Sequence, residues 1–341
     1  MTPLKLFYSP GACSFAAHAI LHDLGLPFTA ERVTIAKGEH LAPTYLAINP
    51  RGRIPTLLVG NTPITELSGI LTWLGQQSDS LFPPPGTIEA ARCSEWLAWL
   101  TSSVHISFAL IWRGERFLDD ARLYPLLRAR GFALLSEQFS EIESRLKGPY
   151  ALGERYSVVD PNLIVFYRWG LRIGFDMAVL YPRWRDHTRL VAERPAVAKA
   201  FAAEDLKLFP DPDPALARSK IMTPQRLAEF DAAWGAGDID KLLSFMAEDA
   251  VYSASVGPEP GETFRGCEDL RRGFEQMLEH DSKRKRTGGE TWALGNFGFA
   301  RWEFEERDPD GRTHTIEGID HFEFTGDLIR RKDAFRKTVN G

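Results

Sequence analysis

The sequence predicts a multidomain chain of three modules: a mixed α/β unit, an all-helical unit, and an α+β unit on a strongly curved antiparallel sheet. Three observations predict it. Through residue 77 short apolar runs and helical patterns follow the order β-α-β and then β-β-α. From Thr87 to Ala203 the punctuation is that of helices only, and beyond Thr223 helices come first and long alternating strands last. Proline-rich stretches divide the modules into residues 1–82, 87–205 and 222–341, with 206–221 as a linker.

Length alone, 341 residues, suggests about two domains. Hydrophobic residues at 44%, charged residues at 26% and a net charge of -5 give no electrostatic pull toward nucleic acid or anionic membrane, so neither is an expected partner. Cys13, Cys93 and Cys267 are odd in number and widely spread, which argues for a reducing compartment, and the cytoplasm is the expected location. No apolar stretch is long enough to span a bilayer.

Leu4 to Tyr8 reads as a short buried strand, Pro10-Gly11 as a turn, and Cys13 to Gly25 as a helix. Strands follow at 29–35, 55–59 and 62–65, with helices near 40–47 and at 67–77. That order is similar to a thioredoxin-like sheet. Cys13 falls at a helix N-terminus, where free N–H groups and the helix dipole favour an anion and shift a thiol toward thiolate, below about 8.5. The residues leave two readings open, an activated nucleophile and a small buried cysteine filling a gap under the sheet.

Asn49-Pro50-Arg51-Gly52-Arg53-Ile54-Pro55, then Thr65-Glu66, then an amphipathic helix from Leu67 join that cysteine in order. Together they resemble the glutathione-binding half of a bacterial, cysteine-containing (beta-class) glutathione transferase. The resemblance implies glutathione as co-substrate, no metal, a hydrophobic electrophile as second substrate, and a homodimer. It implies a cis bond at Ile54-Pro55, whose neighbouring peptide groups hydrogen-bond glutathione. Cys13 would face the glutathione sulfur, with Tyr8 and Ser14 as nearby hydroxyls, and Glu66 would take the glutathione amino group. Lys37 and Arg53 are candidate partners for its carboxylates. The serine or small polar residue usual after the glutamate is Leu67 here. His18 and His22 have metal-ligand spacing without an adjacent glutamate or third ligand, and zinc is not expected.

Ser80-Leu81-Phe82-Pro83-Pro84-Pro85-Gly86 cannot continue a helix. A long helix then carries Trp96, Trp99, His105 and Trp112, and another runs from about Leu123 to Leu146. A lone histidine on a tryptophan-rich helix is more often a satisfied core residue, but the resemblance places His105 in the glutathione cleft, with Ile106 where a lysine usually follows. Ser157-Val158-Val159-Asp160 looks like a capping box, which extends the resemblance to about residue 205. Phe209-Pro210-Asp211-Pro212-Asp213-Pro214 reads as a semi-rigid spacer with few tertiary contacts.

Thr223-Pro224 caps a helix to Trp234, and a second helix ends near Ala247. A strand at 250–254, a third helix after Gly266, and three long strands near 290–306, 313–324 and 327–337 complete the module. Lys283-Arg284-Lys285-Arg286 reads as an exposed loop. Ala236-Gly237-Asp238, Ala247-Glu248-Asp249-Ala250, Phe264-Arg265-Gly266, Ile319-Asp320-His321-Phe322 and Arg331-Lys332-Asp333, in that spacing, resemble the SnoaL-like branch of the cone-shaped fold of ketosteroid isomerase and nuclear transport factor two.

By that resemblance Asp320 takes the place of a protonated, hydrogen-bond-donating aspartic acid. The proton-shuttling base is replaced by Ala254 and the oxyanion tyrosine by Phe230, so steroid-type isomerisation is not expected. A pocket of Trp234, Tyr252, Trp302 and Phe322 remains, with Asp249, Asp320 and His321 as its polar candidates. On this expectation Asp320→Leu leaves the fold intact. The sequence thus points to a transferase with a fused small-molecule-binding domain, or to a binding protein on a degenerate transferase scaffold, the latter favoured by Leu67 and Ile106.

Overall fold

A computed structural model describes residues 2–215, 222–257, 261–282, 284–294, 296–307 and 310–339. Its first sheet is built from β1 (Leu4–Tyr8), β2 (Phe28–Arg32), β3 (Thr56–Val59) and β4 (Thr62–Thr65), in the order β2-β1-β3-β4. β1 runs parallel to β2, and β3 is antiparallel to both β1 and β4. Helix α1 (Ser14–Leu24) is buried from Ser14 through Leu21 and ends on Gly25 in the left-handed conformation. Its run Phe15-Ala16-Ala17-His18-Ala19-Ile20-Leu21 is apolar nearly all round, as a helix packed on both sides requires. Short α2 (Pro43–Leu46) and α3 (Leu67–Gly75) complete the module.

Helices α4 (Ile88–Trp99), α5 (His105–Trp112), α6 (Tyr124–Arg145), α7 (Val159–Arg172), α8 (Met177–Leu180), α9 (Pro182–Ala192) and α10 (Pro195–Glu204) follow. The long helix expected through Trp112 forms, with a π-helical turn at Leu100–Val104 between α4 and α5. The capping motif forms around Asp160, whose carboxylate accepts from Ser157 N–H, Ser157 Oγ and Ala151 N–H and also meets His187 Nε2. One apolar core runs from Leu4 through Leu74, Trp96 and Phe166 to Ala200. The triproline stretch is no break in it, because Leu81 and Phe82 are buried and Leu81 accepts from Val158 N–H.

The chain divides into two compact units, residues 1–112 with 130–218, and 113–129 with 219–341. The proline stretch before the second unit is not contact-free as the sequence suggests. Asp213 N–H donates to Arg172 C=O, its carboxylate pairs with the Arg172 guanidinium at 3.0 Å, and Arg168 holds the Lys207 carbonyl. Residues 216–221 of the expected linker, Lys283, and Asp308-Pro309 lie outside the described residues.

In the second unit Thr223 caps α11 (Pro224–Ala236) through Arg226 N–H, and Asp238 caps α12 (Ile239–Ser244). Then come β5 (Met246–Ser253), β6 (Thr263–Arg265), α13 (Cys267–Asp281), β7 (Lys285–Leu294), β8 (Phe297–Arg307), β9 (Thr313–Thr325) and β10 (Leu328–Val339). The described strands order as β6-β5-β10-β9-β8-β7, with only β5 and β10 parallel. Where three long strands are expected there are four, because the run 290–306 belongs to two strands, β7 and β8, that pair antiparallel. Of the basic run, Lys285 and Arg286 open β7 rather than a loop, Arg284 pairs with Asp281 and Glu306, and Arg286 pairs with Asp231.

Candidate functional sites

In the first unit the β1–α1 turn and the loop before β3 meet. Cys13 Sγ lies 3.7 Å from the Ile54 carbonyl, next to the Ile54-Pro55 peptide, which is cis as expected. The loop carrying that peptide is fixed from beneath, with Tyr45 Oη and Asn49 Nδ2 both donating to the Arg53 carbonyl. Glu66 stands at the start of α3 with φ +65°, a left-handed conformation that a non-glycine side chain adopts only under constraint. Its carboxylate is half in solvent, 3.8 Å from Arg51.

The thiolate shift expected at Cys13 does not occur. The residue is 5% exposed, and burial pushes its thiol up to about 12, with the nearby Glu66 charge adding to the rise. Hydrogen bonds from the Cys13 and Ser14 amides pull the other way and lose. The helix end is therefore present, but desolvation of the ion outweighs it.

Ser14 does not face the thiol as a hydroxyl donor would. Its buried Oγ donates to Ser9 C=O and accepts from Ser9 N–H, closing the turn between β1 and α1. Tyr8 is half-buried at the end of β1, its ring 5.1 Å from His18. Lys37 and Arg53 are exposed. Leu67 is 5% exposed and belongs to the core, so the first residue of α3 presents no polar side chain.

His105 opens α5 directly after the π turn, half-buried and 5.2 Å from the Trp169 ring. Trp169 donates its indole N–H to Gly11 C=O at 2.8 Å. Ile106 is exposed. Gly11 N–H donates to Glu204 Oε2, and Glu204 Oε1 is 2.9 Å from His18 Nδ1, both side chains being fully enclosed. The helical module thus grips the turn before Cys13 from both sides of Gly11. This clamp was not legible, since Glu204 is one of many glutamates on amphipathic helices. Glu204→Ala is expected to leave Gly11 N–H and His18 without partners and to cost about 3 kcal/mol, read as a lower urea midpoint at unchanged slope.

In the second unit a cavity opens between helices α11 and α13 and the sheet. Trp234, Tyr252, Trp302, Asp320 and Phe322 line it as expected, and Phe230 adds to the wall. His321 does not, because it points to the opposite face of β9, 5.4 Å from Phe299. Asp249 is likewise outside, exposed and 3.7 Å from Arg330. Ala254 is buried.

Asp320 is not arranged as a donor. Its Oδ1 accepts from Trp302 Nε1 at 3.0 Å and its Oδ2 from Lys332 Nζ at 2.9 Å, so both oxygens act as acceptors. Lys332 is the residue the sequence hid. It is 2% exposed, and its ammonium lies 4.5 Å from the Tyr252 ring centre and 4.8 Å from that of Trp234. Burial, with Asp320 and Asp281 nearby, holds the Tyr252 phenol well above its ordinary range. Two further ion pairs, Arg286 with Asp231 and Arg336 with Asp281, stand at the rim.

Comparison with known proteins matches each unit separately. The glutathione S-transferase N-terminal domain family matches residues 11–77, and the SnoaL-like domain family matches residues 227–332. Glutathione S-transferase GstA of Escherichia coli O157:H7 is 30% identical over 209 residues, covering 60% of this chain and all of the relative. A Sulfitobacter glutathione transferase homolog solved with bound glutathione superposes with TM-score 0.57 at 31% identity, over 60% of this chain and all of that one. Protein URE2 of Debaryomyces hansenii, a name that states no transferase activity, is 25% identical over 229 residues, 56% of this chain and 74% of the relative.

Proposed function

Since the chain belongs to the glutathione S-transferase family and carries a SnoaL-like domain behind that fold, we propose that it conjugates or reduces hydrophobic electrophiles with glutathione. The second unit, on this reading, holds a small molecule. The observation that carries it is the placement of Cys13 Sγ beside the Ile54 carbonyl and cis Pro55, with Glu66 held in its constrained conformation alongside.

In this reading the Pro55 loop offers backbone groups to the cysteinyl part of glutathione, and Glu66 receives its amino group. A buried thiol held neutral is suited to donate a hydrogen bond to the sulfur of bound glutathione, and a donor there favours the thiolate form. The thiolate attacks the electrophile, the carbon–sulfur bond forms, and the electrophile's leaving group departs. His105 and Trp169 supply the wall facing that sulfur. The homodimer and the cytoplasmic location belong to the same reading; among the described residues, no helix is long and apolar enough to cross a membrane.

The rival reading is a ligand-binding or dimerisation protein, and the burial of Leu67 favours it, since the first residue of α3 offers no polar side chain to a γ-glutamyl carboxylate. Retention on immobilised glutathione and turnover of chlorodinitrobenzene separate the two. Cys13→Ala, which removes the donor, is expected to keep the fold and to lower turnover of chlorodinitrobenzene at pH 7, with the rate recovering as pH rises and bound glutathione ionises unaided. Unchanged turnover and pH profile in this variant take Cys13 out of the mechanism.

A further inference from the structure

The first unit sets two opposite charges side by side at the start of α3. Arg51 Nη1 stands 3.8 Å from Glu66 Oε1 and donates to Thr65 Oγ1 at 3.1 Å. Both charged side chains are more than half in solvent, so their mutual attraction contributes little to stability. A guanidinium carries five donors, and among the described residues Arg51 spends one of them in a hydrogen bond. The loop that carries it is fixed nonetheless. Asn49, 1% exposed, accepts from Arg51 N–H through Oδ1 and from Gly52 N–H through its carbonyl. Gly52 turns the chain at φ +57°, and a Cβ there would meet Leu41 Cδ2 at 2.9 Å and the His40 carbonyl at 3.1 Å.

We propose that Arg51 is a binding residue for the thiol co-substrate, and that with Glu66 it reads a free α-amino-acid end, Glu66 taking the ammonium and Arg51 the carboxylate on the same carbon. This rests on the reading above that the first unit binds glutathione, whose γ-glutamyl end carries that pair of charges. An ammonium taken by Glu66 brings a carboxylate with it, one carbon away. Leu67, 5% exposed and part of the core, offers that carboxylate no polar side chain. Arg51 is the cation already in place, since among the described residues no ion pair joins Lys37 or Arg53 to Glu66 and one joins Arg51.

The exchange conserves charge. A zwitterion that enters between Arg51 and Glu66 replaces one loose ion pair by two charge-assisted ones, and the planar fork of a guanidinium matches a carboxylate with two parallel hydrogen bonds. A thiol compound that lacks either charge satisfies one partner and leaves the other without a match. The pair therefore selects thiols that keep an intact γ-glutamyl end.

Calorimetric titration of the full chain tests this with glutathione and with 4-aminobutanoyl-cysteinylglycine, the same peptide without the γ-glutamyl carboxylate. The unaltered chain is expected to bind glutathione about tenfold more tightly than the analogue. Arg51→Met is expected to bring glutathione down to the level of the analogue without weakening the analogue, and to leave the melting temperature unchanged, since the side chain is exposed. Arg51→Lys, which keeps the charge and loses the fork, is expected to keep part of the preference. A purely structural role of Arg51 would weaken both peptides alike. Equal binding of the two by the unaltered chain, a full preference surviving in Arg51→Met, or equal weakening of both peptides overturns the assignment and leaves the transferase reading in place. Failure of the unaltered chain to bind either peptide overturns both.

Discussion

Asp320→Leu is expected to destabilise the second unit by about 3–5 kcal/mol, the range for removing one partner of a buried ion pair. Leucine leaves the Lys332 ammonium, 2% exposed, without its carboxylate and Trp302 Nε1 without its acceptor. The sequence alone leads to the opposite expectation, since a carboxylic acid kept neutral in an apolar pocket could be replaced by leucine at little cost. The ion pair reverses the sign. Replacing both partners, Lys332→Met with Asp320→Leu, removes the stranded charge and is expected to recover most of the loss. Thermal or urea unfolding of the single and double variants measures this as a coupling energy; purely additive losses would mean that the two groups do not depend on each other.

Alkaline unfolding gives the second large effect. Burial raises Cys13 and Cys93 from 9.0 to about 12, and burial also raises Tyr167 to about 12. For each group the folded state holds its proton more tightly than the unfolded state. The stability owed to the neutral form is fully present below about pH 9, and is lost as pH rises through the interval up to about 12. The two thiols contribute on the order of 4 kcal/mol each if the full shift is realised. The first unit is therefore expected to unfold steeply above pH 9, and Cys93→Ala to soften the slope. Iodoacetamide at pH 7.5 reports the same burial in the native state, with the exposed Cys267 labelled while Cys13 and Cys93 are spared. Fast labelling of Cys13 without glutathione would return it to the activated thiolate expected from its position on α1.

What was legible in the sequence was what local chemistry decides. The turn at Pro10-Gly11, the capping by Thr223 and the order of elements in the first sheet follow from residues near one another in the chain, while the cis Ile54-Pro55 peptide came from the family resemblance. Burial is a property of the whole fold, so Cys13 at a helix end was visible while the desolvation that outweighs that end was not. Leu67 shows the same limit, because only packing reveals that its side chain belongs to the core. In the second unit strict alternation along β10 would put Arg331 on the side of Ile329. The bulge between them shifts the phase by one residue, so Arg331 faces solvent and Lys332 the cavity. A bulge has no reliable local signature, and the deciding residue was therefore passed over.

The place of β10 in its sheet bears on how this unit is made. The strand that comes sixth in sequence sits third in space, bonded to β5 on one side and β9 on the other. Until it has left the ribosome, the nascent chain can form a β5–β6 fragment and a β7–β8–β9 meander, each with an unpaired edge facing the gap that β10 fills. Closing the gap requires Ile329 to find Met246 across all the intervening chain, a non-local pairing that forms slowly. During translation the first unit can mature while the second waits, with two sticky strand edges exposed to other nascent chains. A stalled ribosome or a truncation before Leu328 would thus yield a folded transferase-like body carrying an aggregation-prone half-sheet, rather than a smaller version of the same protein.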